Sequence, residues 1–210
     1  MRAVLIGSIV LIIFAFALSG LLYNQLPDNM ASHWNAQGEA DGYMDKTTVL
    51  LLLPVLCVII FALMLFMPKF DPIRKNAEGF RTTYENFIAV IVAFFVYLHI
   101  IIIAWGIGYQ FNMIQALMPA FAAIFFDAGI LIKNARRNWF IGIRTPWTMS
   151  SDRVWEKTHK RGGKLFMACG LIMLLGIIIP DYAIYLLLVP LMLTVIYTFA
   201  YSYFEYKKGK

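Results

Sequence analysis

The sequence contains few charged residues. Only 14% of its 210 residues are Asp, Glu, Lys or Arg, whereas soluble globular domains carry about 25%. Hydrophobic residues make up 61% of the chain. This composition excludes a soluble globular domain and indicates a protein embedded in a membrane.

Cysteine and histidine are also scarce. The two cysteines, Cys57 and Cys169, lie in long apolar stretches, where a cysteine usually behaves as a small hydrophobic residue. The three histidines are far apart in the chain, so no zinc-type ligand spacing is present. The sequence therefore predicts no disulfide, no metal and no cofactor.

Six apolar runs approach the roughly 20 residues that a transmembrane helix needs. They are Ala3–Leu22, Val49–Met67, Phe87–Ile107, Met113–Ile132, Leu165–Ile179 and Tyr182–Tyr203. Because the runs are continuous and do not alternate with polar residues, they predict helices rather than barrel strands. We expect an all-α polytopic membrane protein with six transmembrane helices.

The first run also has features of a signal peptide. Arg2 precedes it, and Ala17-Leu18-Ser19 loosely resembles a cleavage site. The run nevertheless continues to Leu22 and is longer than a usual signal-peptide core. This length favours an uncleaved span.

Positive charge is nearly absent from one side of the predicted membrane. Seventeen of the 18 Lys and Arg residues lie in the N-terminus, the loops 68–86 and 133–164, and the C-terminal tail, and only Lys46 lies on the other side. The positive-inside rule therefore predicts a plasma-membrane protein whose termini and two basic loops lie on the cytoplasmic side. The net charge of +6 thus predicts topology and contact with membrane lipids rather than direct nucleic-acid binding.

The loop 133–164 holds nine Lys and Arg residues and three of the five tryptophans. Ser150 and Ser151 are good N-cap candidates, and Asp152 suits the first turn of a helix. We expect a short amphipathic helix from Ser151 to Arg161 that stops at Gly162-Gly163. Such a helix lies on a membrane or docks a partner. The alternative is a connector whose tryptophans only mark the headgroup layer.

The loop 23–48 is expected outside the cell. Gly38 and Asp41-Gly42 are turn signals, so the loop should be compact. His33 with Asp28 and Asp41 suggests a site for a metal or a cationic ligand, whereas Asx-turn hydrogen bonds and interfacial aromatic residues explain the same composition without a ligand. The second interpretation is favoured because no metal-ligand spacing is present.

Two polar residues lie within the predicted spans. A charge in a membrane is costly and usually faces the bundle interior, so His99 and Asp127 suggest a proton or ion relay. The alternative is a hydrogen-bonded core histidine and an ion-paired aspartate, which we favour. Pro54, Pro119 and Pro190 add only a weak indication of a transporter, because proline is common in membrane helices.

Two motifs resemble known families. The run Asn138–Thr148 (NWFIGIRTPWT), followed by Ser151-Asp152 and Trp155–His159, resembles the signature of the SdpI family of bacterial immunity proteins. The outer loop, with Leu26-Pro27-Asp28, His33-Trp34-Asn35, Gly38, Asp41-Gly42-Tyr43 and Lys46, resembles the small DUF1648 domain that often precedes it.

The resemblance implies a membrane immunity and signal-transduction protein that confers resistance to a secreted peptide toxin on the outer face. It also implies a cytoplasmic repressor protein held at the membrane. The implied domains are a DUF1648-like hairpin at 1–67, a loop and third span at 68–112, and an SdpI-like domain at 113–210.

The motifs also suggest two groups of binding residues. In the cytoplasmic motif loop these are Asn138, Trp139, Gly142, Arg144, Thr145, Pro146, Trp147, Ser151, Asp152 and Trp155. In the outer loop they are Pro27, His33, Trp34, Asn35, Gly38, Asp41 and Gly42.

Two other function classes remain as alternatives. One is a transporter or channel that uses Asp127 and His99. The other is a membrane enzyme acting on lipid or peptide, with His33, Asp41 or His159 as acid–base groups. No spacing of a nucleophile and a base supports catalysis, and His159 is better explained as a cap near a helix end, so we predict no enzyme activity and no catalytic residues.

Overall fold

The computed structural model describes residues 3–209, without the side chains of Arg74 and Ala77; Arg2 and Lys210, two of the predicted cytoplasmic charges, lie outside it. The chain is mostly helical. Its helices are α1 (Ala3–Leu22), α2 (Lys46–Phe66), α3 (Arg74–Glu78), α4 (Arg81–Gly106), α5 (Met113–Asn134), α6 (Pro146–Ser150), α7 (Asp152–Met173) and α8 (Ala183–Lys207). Strands β1 (Asn29–Trp34) and β2 (Ala40–Asp45) form an antiparallel hairpin between α1 and α2.

Five helical segments are long and apolar enough to cross a membrane. They are Ala3–Gln25, Lys46–Phe70, Arg81–Gly106, Met113–Asn134 and Pro180–Lys207. Five of the predicted spans correspond to these segments. The fifth predicted span in chain order, Leu165–Ile179, is not confirmed. It is the second half of α7 followed by a 3-10 turn at Leu174–Ile177, and the first half of α7 is rich in Lys and Arg.

The predicted stop at Gly162-Gly163 is wrong. Helix α7 begins where expected, with the Ser151 hydroxyl accepting a bond from the Val154 N–H, but it continues through both glycines to Met173. A Cβ on Gly163 would lie 2.6 Å from the Gly129 carbonyl oxygen of α5. Small residues let membrane helices approach this closely, so packing against α5 outweighs the weak helix propensity of glycine.

Helix α7 runs antiparallel to α5 along its length. After the Gly163–Gly129 contact, Gly170 lies against the Ala122 carbonyl and Gly176 lies against Met118. Apart from these glycine contacts, an apolar core joins α1, α2, α4 and α5, with Ile88 and Val92 each 1% exposed.

The connecting segments gather at two ends of this helical bundle. At one end, which we call the basic end, Asp71 contacts Trp139 and Arg153 pairs with Glu205. At the other end, the amide of Asn112 before α5 donates to the Gln37 carbonyl in the β1–β2 turn, at 2.7 Å. Alternate connections thus lie at opposite ends of the molecule.

The β-hairpin departs from the expected all-α class. Gly38 lies in its turn with φ +81°, as the turn signal predicted. Asp41 and Gly42 instead lie inside β2, so their prediction as a turn is wrong. Gly42 pairs with His33 at an irregular point of the ladder, and a Cβ there would lie 2.9 Å from His33 Cβ. Glycine is therefore needed here because the two strands leave no room for a side chain.

Candidate functional site

Asn138 organises the segment 135–151, which we call the motif loop. Its side chain is 1% exposed. The Oδ1 atom accepts bonds from the N–H groups of Phe140 and Ile141, and Nδ2 donates to the carbonyls of Arg136 and Ile141. One amide thus satisfies four backbone groups, which explains why the loop needs Asn at this position.

Trp139 and Arg144 form the outward side of the loop. The Trp139 N–H donates to Asp71 Oδ2 at 2.9 Å, and the Trp139 carbonyl accepts a bond from the Arg144 guanidinium. Both side chains are exposed. Asp71 is buried and was not predicted as a site residue; a lone aspartate in the distant 68–86 loop carries no local signal of this contact.

His159 holds the loop from α7. Its Nε2 accepts a bond from the Ile143 N–H at 2.9 Å, and its Nδ1 lies 2.8 Å from the Trp155 carbonyl oxygen. These two partners require a neutral ring with the proton on Nδ1. The prediction that His159 caps a helix end is wrong, because α7 continues well past it.

Trp155 and Gly142 complete this contact. The Trp155 ring stacks on His159 with centroids 3.8 Å apart, and its indole N–H donates to the Ala135 carbonyl. Gly142 has φ +118°, and a Cβ there would lie 2.3 Å from His159 Nε2. Only glycine fits between the loop and this histidine.

Burial lowers the pKa of His159 to about 4, although its bond to the Trp155 carbonyl acts in the opposite direction. In the unfolded chain this histidine has the ordinary pKa near 6.5. Between about pH 4 and pH 6.5 the unfolded chain therefore binds more protons than the folded protein. Stability should be complete above pH 6.5 and fall as the pH drops toward 4, by up to about 3 kcal/mol. Thermal unfolding of the protein in detergent at pH 7 and pH 4.5 measures this loss. A His159→Gln variant should show a smaller loss, and an unchanged pH dependence would contradict the assignment to His159.

The next part of the motif attaches the loop to α8. Thr145 caps α6 in a reciprocal pair with Thr148, and its hydroxyl lies 3.0 Å from that of Ser202. Pro146 occupies the first turn of α6, where its missing N–H is harmless. Trp147 packs edge-on against Phe199 and Tyr203. The motif residues that the sequence singled out are therefore mostly the ones that shape the loop.

Ser151 and Asp152 connect the loop to α7. Asp152 Oδ1 lies 2.8 Å from Arg137 Nε, and Arg137 also donates to the Met149 carbonyl. Beside this pair is a cavity of about 560 Å³, lined mainly by polar residues of α5, α7 and the loop. The cavity, the exposed Trp139 and the exposed Arg144 are parts of the motif region that a partner can reach.

The outer-loop residues lie in or beside the β-hairpin. Asn35 Oδ1 accepts bonds from the N–H groups of Gln37 and Glu39, each at 3.0 Å, which is the expected Asx-turn pattern. His33 Nδ1 lies 2.5 Å from Asp41 Oδ1, and both side chains are substantially exposed. Trp34 packs edge-on against Trp105 of α4.

Pro27 lies in the extended segment before β1 and is exposed. Asp28, the third member of the suggested metal site, instead pairs with Lys46 at 2.9 Å. Within residues 3–209, no group of three or more His, Cys, Asp or Glu side chains is arranged to hold a metal ion.

His99 and Asp127 are not brought together. His99 is fully buried, and its Nε2 lies 2.8 Å from the Ser19 hydroxyl, which also lies 3.0 Å from the Leu50 carbonyl oxygen. The Tyr97 hydroxyl of α4 donates to the Ala116 carbonyl of the antiparallel α5, so His99 and Asp127 are separated by about 20 Å of helix rise. In the described part of the chain, Asp127 Oδ2 is buried without a hydrogen-bond partner.

The motif loop, α6, α7 and most of α8 fall in residues 134–202, which match the model of the SdpI/YfhL protein family. About a third of the chain is thus similar to the SdpI/YfhL family. Residues 10–58 match a second model, a domain of unknown function called DUF1648. The immunity protein SdpI of Bacillus subtilis (strain 168) is 25% identical over 202 residues, which cover 96% of this chain and 95% of that protein. No solved structure matches the chain.

The two matched segments correspond to two parts of the structure. The DUF1648 segment contains the β-hairpin with parts of α1 and α2. The SdpI/YfhL segment contains the motif loop together with the helices that hold it through His159 and Ser202. With its apolar helices, the chain is a multipass membrane protein.

Proposed function

We propose that this protein is a membrane immunity protein that protects the cell carrying it from a secreted antimicrobial peptide. The observation that carries the proposal is the match to immunity protein SdpI over 96% of this chain and 95% of that protein. In this proposal both termini and the motif loop are cytoplasmic, in accordance with the concentration of Lys and Arg at the basic end, and the β-hairpin faces the peptide outside the cell.

The contacts between elements support communication between the two faces. The β-hairpin is tied to the start of α5 by Asn112, which also caps that helix through the Gln115 N–H. Helix α5 packs directly on α7 at Gly129 and Gly163, and α7 holds the motif loop through His159. A peptide that moves the hairpin can therefore change the motif loop, where we place the docking of a cytoplasmic repressor protein, provided the two states differ in peptide affinity.

Survival of a peptide-sensitive host tests the immunity function. Cells that express the protein should survive a related secreted peptide at concentrations that kill cells with an empty vector. A panel of such peptides is needed because the ligand is defined only by class. Equal killing of both strains by every peptide in the panel, with the protein present in the membrane, would overturn the proposal.

Arg144→Ala should reduce this protection at least tenfold without preventing folding. The Arg144 side chain is exposed. The substitution removes it together with its bond to the Trp139 carbonyl, while the loop keeps the bonds made by Asn138, Asp71 and His159. The measurement is survival together with the melting temperature in detergent.

Lys75→Ala is the matched control, since Lys75 is another exposed cation at the basic end outside the motif loop. It should keep full protection. If Arg144→Ala protects as well as the unsubstituted protein, Arg144 does not belong to the functional surface.

A further inference from the structure

A strongly basic groove lies between α7 and α8 at the basic end. Its volume is about 720 Å³. Seven charged side chains line it: the cations Arg153, Lys157, Lys160, Arg161, Lys164 and Lys208, and the single carboxylate Glu205. The excess of positive charge predicts an anionic ligand.

Glu205 neutralises only part of this charge. Its Oε1 lies 2.7 Å from Lys157 Nζ and 2.8 Å from an Arg153 guanidinium nitrogen. For Lys160, Lys164 and Lys208, no carboxylate in the described part of the chain lies within 4.0 Å. These three ammonium groups remain available to an anion that enters the groove.

The basic groove continues into an apolar one. Arg161 and Lys164 line both, and the apolar part, about 360 Å³, is formed by Leu165 of α7 with Leu193 and Tyr197 of α8. Leu193 is 61% exposed, on a helix apolar enough to cross a membrane. From Tyr201 in the basic part to Leu193 in the apolar part, α8 rises about 12 Å.

We propose that α7 and α8 form a binding site for an anionic phospholipid from the leaflet at the basic end. The phosphate lies among Lys160, Lys164 and Lys208, and one acyl chain follows the groove between Leu165 and Leu193. Basic pockets between helices bind anionic headgroups in this way. A free phosphate would use only the basic part and leave the apolar part unfilled. This site does not depend on the immunity function.

Lipid binding to the full-length protein in a neutral detergent tests the site. Native mass spectrometry and melting temperature are recorded with added phosphatidylglycerol, phosphatidylcholine or glycerol phosphate. Phosphatidylglycerol should be retained and should raise the melting temperature, whereas the other two additives at the same concentration should not. Lys164→Gln/Lys208→Gln should weaken phosphatidylglycerol binding about thirtyfold, since each cation near an anionic headgroup contributes about fivefold.

Lys75→Gln/Lys207→Gln is the matched control. It removes the same charge from exposed positions at the same end that do not line the groove, and it should bind phosphatidylglycerol as before. Equal weakening in the control would show a general charge effect, and equal stabilisation by glycerol phosphate would show an anion site without a lipid; either result overturns the proposal. If the double variant melts earlier without lipid, Lys208→Gln alone provides the comparison.

Discussion

Gly142→Ala is expected to abolish protection and to lower the melting temperature by several degrees. The backbone at this position has φ +118°, which L side chains rarely adopt, and the new Cβ would lie 2.3 Å from His159 Nε2. Backbone strain of this kind costs about 1–3 kcal/mol, and the collision adds to it. The collision also displaces the ring that accepts the Ile143 N–H. Survival and thermal unfolding in detergent measure both effects.

Gly108→Ala separates the effect of backbone strain from that of the collision with His159. Gly108 also has a positive φ, +107°, but nothing lies within 4 Å of a Cβ there. It should show the strain without the collision and should keep most of the protection. If Gly142→Ala behaves like Gly108→Ala, the close contact with His159 is not what makes glycine necessary at position 142.

Gly163→Ala should separate α5 from α7 and lower the amount of folded protein in the membrane. The added Cβ would lie 2.6 Å from the Gly129 carbonyl oxygen and 2.8 Å from the Lys133 nitrogen. Because these neighbours are backbone atoms, they cannot rotate away. Overpacking of this kind costs about 1–3 kcal/mol, which exceeds the gain of about 1 kcal/mol from replacing a helical glycine by alanine.

The comparison for Gly163→Ala is Gly7→Ala in α1, where nothing lies within 4 Å of an added Cβ. This control should be neutral or stabilising, so the two substitutions should differ in sign. The measurement is the melting temperature together with the yield from isolated membranes. Equal effects of the two substitutions would contradict direct contact between the backbones of α5 and α7.

The predicted and observed features differ most where contacts are distant in the chain. The Ser151 N-cap follows from residues within one turn of one another, and the start of α7 is confirmed. The end of that helix depends on Gly129, more than 30 residues away, so local propensity placed the stop at Gly162-Gly163 wrongly. In the same way, His159 pairs with Ile143 across a loop, and its role is not visible from the neighbouring residues.

The motif residues illustrate what a sequence signature contains. Asn138, Gly142 and Thr145 were singled out as candidate binding residues, and the structure shows them shaping the loop from within. Trp139 and Arg144, from the same motif, face outward. A signature includes residues of both kinds, and only burial and hydrogen bonding separate those that build a surface from those that present it.

The amino-acid sequence is enough to establish a helical membrane protein, because continuous apolar runs have few other stable arrangements in a membrane. It also pointed to the SdpI family through short motifs. Four other features are visible only in the folded molecule: the course of α7, the hairpin in the outer loop, the partners of His99 and His159, and the groove between α7 and α8. Each of these depends on the close approach of segments far apart in the chain, and no local pattern of residues encodes that approach.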